Sequence, residues 1–454
     1  QNFNTTKKPM TDILTLLQCF APYVSKTTLR QMSVIIPAMI SMSGRVTMRG
    51  ISRWTDKGGS YRTVQRFFHT IMPWSLLFWL FFRHQLYNSD DSYFLVGDES
   101  VVTKSGKQTY GLDRFFSGLL GIVVPSLAFF TLSLISVKER TSYPVMTEQR
   151  IRSEAEKQAA KSKAKKKKGK KKSSKKGKVG RPKGSKNKDK TQVKLTEELQ
   201  QIKAMVKKQL VLINGLIPIK HLVLDGHFGN NNALQMTIQC GLDLVSKLRN
   251  DSALYFFYEG PQKNGRPRQY GDRINYDHIP DRFLKQSTLE DGIREDIYQA
   301  TMLHRRFAQA LNIVVIVKTN LKTGKRAHVV LFSSDLKLSF DTLVDYYRLR
   351  FQIEFNFRDA KQYWGLEDFM TVTETAVTNA ANLSLFMVNI SHLLLREFRQ
   401  TSTQFGILDL KAHFRGRKYV METLKLLPQM PEPILTEYIF DKIAQVGAIH
   451  TSEI

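Results

Sequence analysis

Three kinds of hydrophobic pattern succeed one another along the chain. Over residues 11–88 apolar positions recur at helical spacing, as in TDILTLLQCF and LRQMSVIIPAMISMS, and predict a helical N-terminal region. From Tyr93 the pattern turns continuous or two-residue in YFLVGDES, predicting a strand that ends at Asp98. GIVVPSL and AFFTLSLISV read as two more strands joined by a Pro-Ser turn. Leu195, Leu199, Ile202, Val206 and Leu210 mark an amphipathic helix. HLVLDGHFGNN then predicts a buried strand ending at Asp225, with Gly226 and Gly229 opening a loop. A helix through NNALQMTIQCG and the strand LDLVSKLR come next. Residues 253–335 are mostly strand-like, in ALYFFYEG, DIYQATMLHRRF, LNIVVIVKTN and AHVVLFSS. Helical spacing returns in Asp341 to Leu366, which has no proline and no glycine before Gly365 and predicts one unbroken helix. TNAANLSLFMVNISHLLLREF, METLKLLPQM and ILTEYIFDKIAQV extend the helical C-terminal third.

This succession predicts an α/β core with helices at both ends. The predicted boundaries are 1–90 for a helical domain and 91–249 for the first part of the core, interrupted by a basic insertion at 151–190. A β-rich insertion follows at 250–338, then the last part of the core at 339–398. The helical C-terminal region, 399–454, is a candidate dimerisation element. No internal repeat is evident.

Charge changes the picture more than composition does. The 454 residues are 42% hydrophobic and 24% charged, as in a globular protein with a sizeable core. The net charge is +29, and residues 151–190 hold 19 cationic side chains against 3 acids, a net +16 that leaves +13 for the rest. A basic body with a concentrated basic segment points to a polyanion, most often nucleic acid. Two cysteines, Cys19 and Cys240, provide neither a disulfide framework nor a cysteine zinc site, which fits a reducing compartment. The uncharged run Leu119 to Val137 is broken by Pro125 and several hydroxyls and suits strands better than a membrane span. With no secretory pattern at the N-terminus, the expected location is cytoplasmic.

Two stretches are candidates for holding DNA. In VTMRGISRWTDKGGSYRTVQRFFHTI two short amphipathic runs flank a turn-rich connector, and Ser60 can cap the second. Arg62, Gln65, Arg66 and His69 share a face of that second run. This is either a helix-turn-helix with a recognition helix or a helical hairpin with a solvated polar face. Within the basic insertion, Gly180-Arg181-Pro182-Lys183-Gly184 resembles the AT-hook core, which lies in the minor groove of A·T-rich DNA. The alternative is a sequence-blind polybasic tether on phosphates. Lys104 and Lys107, in the loop after Asp98, are either candidates to reach phosphate or exposed loop lysines with no particular role.

Tyr347, Arg350, Glu354 and Lys361 stand at offsets 0, 3, 7 and 14, which places them within roughly 60° of one another around a helix. That stripe is either a solvated charged face or one edge of an active site. Aspartates at the carboxyl ends of neighbouring strands face one crevice, and a helix beside it can add a third carboxylate. Asp98, Asp225 and Glu354 form such a set, while Glu99 would point to the opposite side of its strand. Three carboxylates without histidine or cysteine suit Mg²⁺ or Mn²⁺ rather than zinc. Two such ions support phosphoryl transfer.

Tyr347-x2-Arg350-x3-Glu354-x6-Lys361, together with the two strand-end aspartates, resembles the signature of DDE transposases of the bacterial insertion-sequence-four superfamily. The resemblance in layout covers most of the chain and implies a ribonuclease H-like catalytic core. It implies Asp98, Asp225 and Glu354 as ligands of two Mg²⁺ ions, with Mn²⁺ as a substitute. Tyr347, Arg350 and Lys361 would hold the DNA strand near the scissile phosphate. The implied reaction is cut-and-paste transposition on terminal inverted repeats, by a homodimer, in many relatives through a hairpin with a flipped base. Trp364, Tyr347 and His227 are the candidate stacking groups. A DNA-binding descendant that no longer cuts, and a structure-selective nuclease on the same core, are the alternative readings.

Overall fold

The computed structural model describes residues 13–450 except 57, 119, 159–188, 263, 264, 266, 401 and 430. Most of the basic insertion, including Arg181 and Lys183, lies outside the described residues.

The N-terminal region forms α1 (Ile13–Leu17), α2 (Lys26–Ser41), α3 (Met48–Ser52), α4 (Tyr61–Phe68) and α5 (Trp74–Phe81). Ser60 caps α4, its Oγ accepting the Thr63 N–H at 3.4 Å, which satisfies one of the donors that a helix start leaves open. Val64, Phe67 and Phe68 point inward, while Arg62, Arg66 and His69 stay exposed. The two runs around the connector are thus real helices, although α3 is only five residues long.

The strands are β1 (Tyr93–Thr103), β2 (Asp113–Ser117), β3 (Ile122–Ser136) and β4 (Thr141–Arg150), then α6 (Glu197–Ile213), β5 (His221–Leu224), α7 (Asn231–Ile238) and β6 (Asp243–Leu248). The later strands are β7 (Leu254–Phe257), β8 (Tyr270–Arg273), β9 (Leu284–Glu290), β10 (Ile293–His304), β11 (Leu311–Asn320) and β12 (Arg326–Ser333). They join one 12-stranded sheet in the order β2-β3-β1-β5-β6-β12-β11-β10-β7-β8, with β4 on β3 and β9 on β10. β5 is parallel to both β1 and β6, and the other described pairings are antiparallel. The result is a mixed α/β molecule with a large, mostly antiparallel sheet and helices at both ends. The 250–338 segment extends this same sheet, because β12 pairs directly with β6.

Two strand expectations are corrected. GIVVPSL and AFFTLSLISV are not separate strands; β3 runs straight through Pro125-Ser126. On one side it pairs with β2 up to Ser126 and with β4 from Ala128, so the proline sits where one partner hands over to the next. An extended backbone accepts proline's fixed φ, and the missing N–H costs least at such a handover. Nor does β1 stop at Asp98, since antiparallel pairing with β3 carries it on to Thr103.

The C-terminal third forms α8 (Phe340–Leu349), α9 (Gln352–Gln362), α10 (Glu374–Arg399), α11 (Ile407–Leu424) and α12 (Pro433–Ala444). The single helix expected over 341–366 is therefore two. At the joint, Phe351 N–H bonds to Arg348 O (3.1 Å) and Ile353 N–H to Arg350 O (3.2 Å), a tightened i to i−3 turn. No glycine or proline marks this joint, and Arg350 within it ion-pairs with Asp98 of β1 at 2.8 Å. The pair ends before Gly365, which has a φ of +84°, and a Cβ there would stand 2.4 Å from the side chain of Val46. Only glycine meets both conditions.

The N-terminal helices, the sheet and α8 to α11 share one hydrophobic core. Asn379 of α10 ties the two ends of the chain together. Its Oδ1 accepts the Trp74 indole N–H at 2.7 Å, and its Nδ2 donates to Phe68 O (2.8 Å) and Thr70 O (2.7 Å). Among the described residues no helix is long and apolar enough to cross a membrane.

Candidate active site

The parallel pairing of β1 with β5 ends at Gly97 opposite Leu224, and the next residue on each strand is an aspartate. Neighbouring strands lie roughly 4.8 Å apart, so Asp98 and Asp225 emerge side by side. Asp98 Oδ1 accepts the Glu99 N–H at 2.8 Å, and Asp225 Oδ1 accepts the His227 N–H at 3.1 Å. Ser246 Oγ donates to Asp225 O at 2.7 Å, anchoring the strand end to β6. Gly229 makes this loop possible: a Cβ there would stand 2.1 Å from Lys247 O.

The third carboxylate comes from α9. Arg350, at the joint between α8 and α9, places Nη1 2.8 Å from Asp98 Oδ2 and Nη2 3.3 Å from Glu354 Oε1. Burial, reinforced by the charges of Asp225 and Glu354, pushes the Asp98 carboxyl up to about 6 even though Arg350 pulls the other way. Asp98 thus senses both other acids, and the Arg350 guanidinium, 252 positions along the chain from Asp98, feels the charge of all three. Glu99, on the other side of β1, senses Glu198, Arg150 and Arg152, and burial raises its carboxyl too.

The other stripe residues keep to the same edge. The Tyr347 ring lies 5.7 Å from the Arg350 guanidinium. Lys361 Nζ donates to Val101 O at 2.9 Å, fastening α9 to the far part of β1. Arg62 and Arg66 lie on α4; Gln65 of that helix and His69 just after it line a separate cavity of about 440 Å³ with the loop after α9. Lys104 is not the free loop lysine expected. Its ammonium donates to Phe369 O (2.8 Å) and Glu367 O (3.2 Å), and desolvation lowers it to about 8. Trp364 is fully buried with Lys411 over its ring, so it packs the core.

An open cleft of about 590 Å³ lies beside the acids, lined by Asp225, His227, Lys247, Arg249, Tyr347 and Arg350. Lys247 and Arg249 escape the motif-based reading of the sequence. A signal for them does exist: they lie at the end of β6, the strand next to Asp225, and strand ends of a parallel pair face one crevice. His227 pairs with Glu198 at 3.8 Å, which raises the imidazole and lowers the carboxylate.

The donor set of Asp98, Asp225 and Glu354 is all oxygen and anionic, and the Arg350 guanidinium already draws two of these carboxylates toward one cation. Such a set fits a hard divalent ion such as Mg²⁺. The cations lining the cleft suit a phosphate-bearing substrate.

Among known families, the family model of the DDE superfamily endonucleases matches residues 15–309. No match is found among curated proteins. The matched span runs from within α1 past β10, includes Asp98 and Asp225, and stops before Arg350 and the helix that carries Glu354. It covers well over half of the chain, and the chain belongs to the DDE superfamily endonucleases.

Proposed function

We propose that this endonuclease is a DNA transposase that cuts at the ends of an insertion sequence and joins the freed strand to target DNA. The observation that carries the reading is the meeting of Asp98, Asp225 and Glu354 around Arg350. The antiparallel β4-β3-β1 unit continued by parallel β5 and β6 supports a ribonuclease H-like core, because it sets Asp98 and Asp225 side by side where the β1–β5 pairing ends. In this reading the three carboxylates hold two Mg²⁺ ions, or Mn²⁺ in their place. When bound, such ions activate a water or a 3′-hydroxyl and stabilise the leaving oxygen.

The protein's own side chains do the positioning. Arg350 neutralises the carboxylates and turns to the DNA phosphate as the site fills. Tyr347 and Lys361 flank it along the strand, and Lys247 and Arg249 hold phosphates on the other wall of the cleft. Arg62 and Arg66 on α4, together with Arg181 and Lys183 of the basic insertion, supply further DNA contacts. Joining two ends calls for a homodimer acting on terminal inverted repeats in the cytoplasm, with Tyr347 or His227 available to stack a flipped base.

The test uses labelled end DNA, Mg²⁺ and three variants, Asp98→Asn, Asp225→Asn and Glu354→Gln. Each should bind ends as the wild type does and lose cleavage and strand transfer by more than about 1,000-fold, about 4 kcal/mol of barrier. Undiminished cleavage by Glu354→Gln would remove the assignment. Cleavage by the wild type without any strand transfer would leave a structure-selective nuclease instead.

A further inference from the structure

We infer that His221, Asp243 and Asp335 form a binding site for a transition-metal ion, Zn²⁺ by chemical fit, at the opposite end of the central strands β5 and β6 from the candidate active site. His221 and Asp243 are the first residues of β5 and β6 and stand directly opposite each other in the parallel register. Asp335 follows the end of β12, which the antiparallel pairing of Ser333 with Val245 brings to the same end. Asp225 leaves β5 at its other end, four residues and roughly 13 Å away. The two sites are therefore separate.

One ligand atom from each residue lies within 4.8 Å of the others, and His221 Nε2 is 3.1 Å from Asp335 Oδ2. Zn–N and Zn–O bonds of about 2.0–2.2 Å in a tetrahedron put neighbouring donors about 3.4 Å apart. The His221–Asp335 pair already comes close to that spacing. A side-chain rotation of Asp243, on the order of 1 Å, brings in the third donor, and water completes the four.

The surroundings aim these groups. Asp335 Oδ1 accepts the Lys337 N–H at 2.9 Å, and Asp243 Oδ1 accepts the Ser334 hydroxyl at 2.7 Å. That hydroxyl oxygen accepts the Leu244 N–H at 3.0 Å. Such outer contacts orient ligating carboxylates and are part of how a site holds its metal. The His221 ring is more than nine-tenths buried and is held edge-on by Tyr346 at 5.5 Å, which itself stacks on Phe94 at 4.2 Å. An imidazole with two carboxylates favours Zn²⁺ over Mg²⁺ or Ca²⁺, which take oxygen.

The ion would clip β5 and β6 of the core to β12, the strand that returns from the 250–338 segment. Through Tyr346, which touches His221, it also lies under α8. The site does not depend on the transposase reading.

The experiment measures Zn²⁺ bound per chain in the full-length protein, after chelator stripping, reloading and gel filtration, alongside the thermal midpoint. One Zn²⁺ per chain and a raised midpoint are expected, both retained by the triple variant Asp98→Asn/Asp225→Asn/Glu354→Gln. Asp335→Asn keeps the shape of the carboxylate and should weaken Zn²⁺ binding by more than about 10-fold. Asp243→Asn, at another half-buried position, serves the same purpose should Asp335→Asn fail to fold. Failure of the wild type to retain Zn²⁺ would overturn the inference and leave a hydrogen-bonded clamp. So would undiminished Zn²⁺ in Asp243→Asn, or its loss in the triple variant.

Discussion

Arg350 Nη1 sits 2.8 Å from Asp98 Oδ2, joining residues 252 positions apart, while Nη2 of the same guanidinium lies 3.3 Å from Glu354 Oε1. The guanidinium and a divalent ion therefore compete for the same oxygens. Only 20% of the Asp98 side chain is exposed, so removing Arg350 strands a poorly solvated charge. Arg350→Ala should destabilise the metal-free protein by about 3 kcal/mol. Mg²⁺ should then raise the melting temperature of the variant more than that of the wild type. Equal Mg²⁺ shifts in the two proteins would mean that the guanidinium does not stand in for the ion.

Asp98 sets a pH dependence of known sign. Its carboxyl, at about 6, lies above the ordinary aspartate value, so between about pH 4 and 6 the native state binds more protons than the unfolded chain. Metal-free stability should therefore fall as pH rises through that window and level off above it, by on the order of 2–3 kcal/mol from this group. Glu99 shifts in the same direction, so the informative quantity is the difference between wild type and Asp98→Asn in denaturant titrations. A difference that stays constant from about pH 4 to 7 would contradict the assignment.

Asn379 predicts how firmly the two ends of the chain are held together. Asn379→Ala leaves the buried Trp74 N–H and the carbonyls at the end of α4 without their partner. The expected cost is about 2–4 kcal/mol, read from chemical denaturation. The early loss should appear in α4 and α5, where hydrogen exchange would quicken first. Uniform exchange across the molecule would show that the contact does not anchor those helices.

Deleting residues 160–190 should weaken DNA binding and flatten its dependence on salt. Each phosphate that the segment no longer neutralises keeps its condensed counterions, so fewer are released on binding and the slope shrinks. Affinity measured across a salt series reads this directly. An unchanged slope would mean that the segment does not touch DNA.

Much of the scaffold is legible in the hydrophobic pattern, because α6, β5, α7, β6 and β10 to β12 each have a period that local burial alone explains. The candidate site is legible through three acids and a fixed spacing on one helical stripe, and Arg350 and Glu354 do remain neighbours. Lys104 departs from its local reading for a physical reason. A loop lysine looks solvated until the loop after α9 folds back and offers it two carbonyls. His221 carries no sequence signal, since Asp243 and Asp335 meet it only through sheet pairing.

By itself, the sequence determined which residues are apolar, roughly where most helices and strands lie, and that Asp225 follows a strand, since these follow from period and from neighbours a few positions away. Tertiary structure alone decided that β3 crosses Pro125, that the Tyr347–Lys361 segment divides at Arg350–Phe351, and which cation the acids face. Each of these depends on a partner strand or a counter-charge supplied from a distant part of the chain, and no local pattern encodes the energy of a contact between such distant residues.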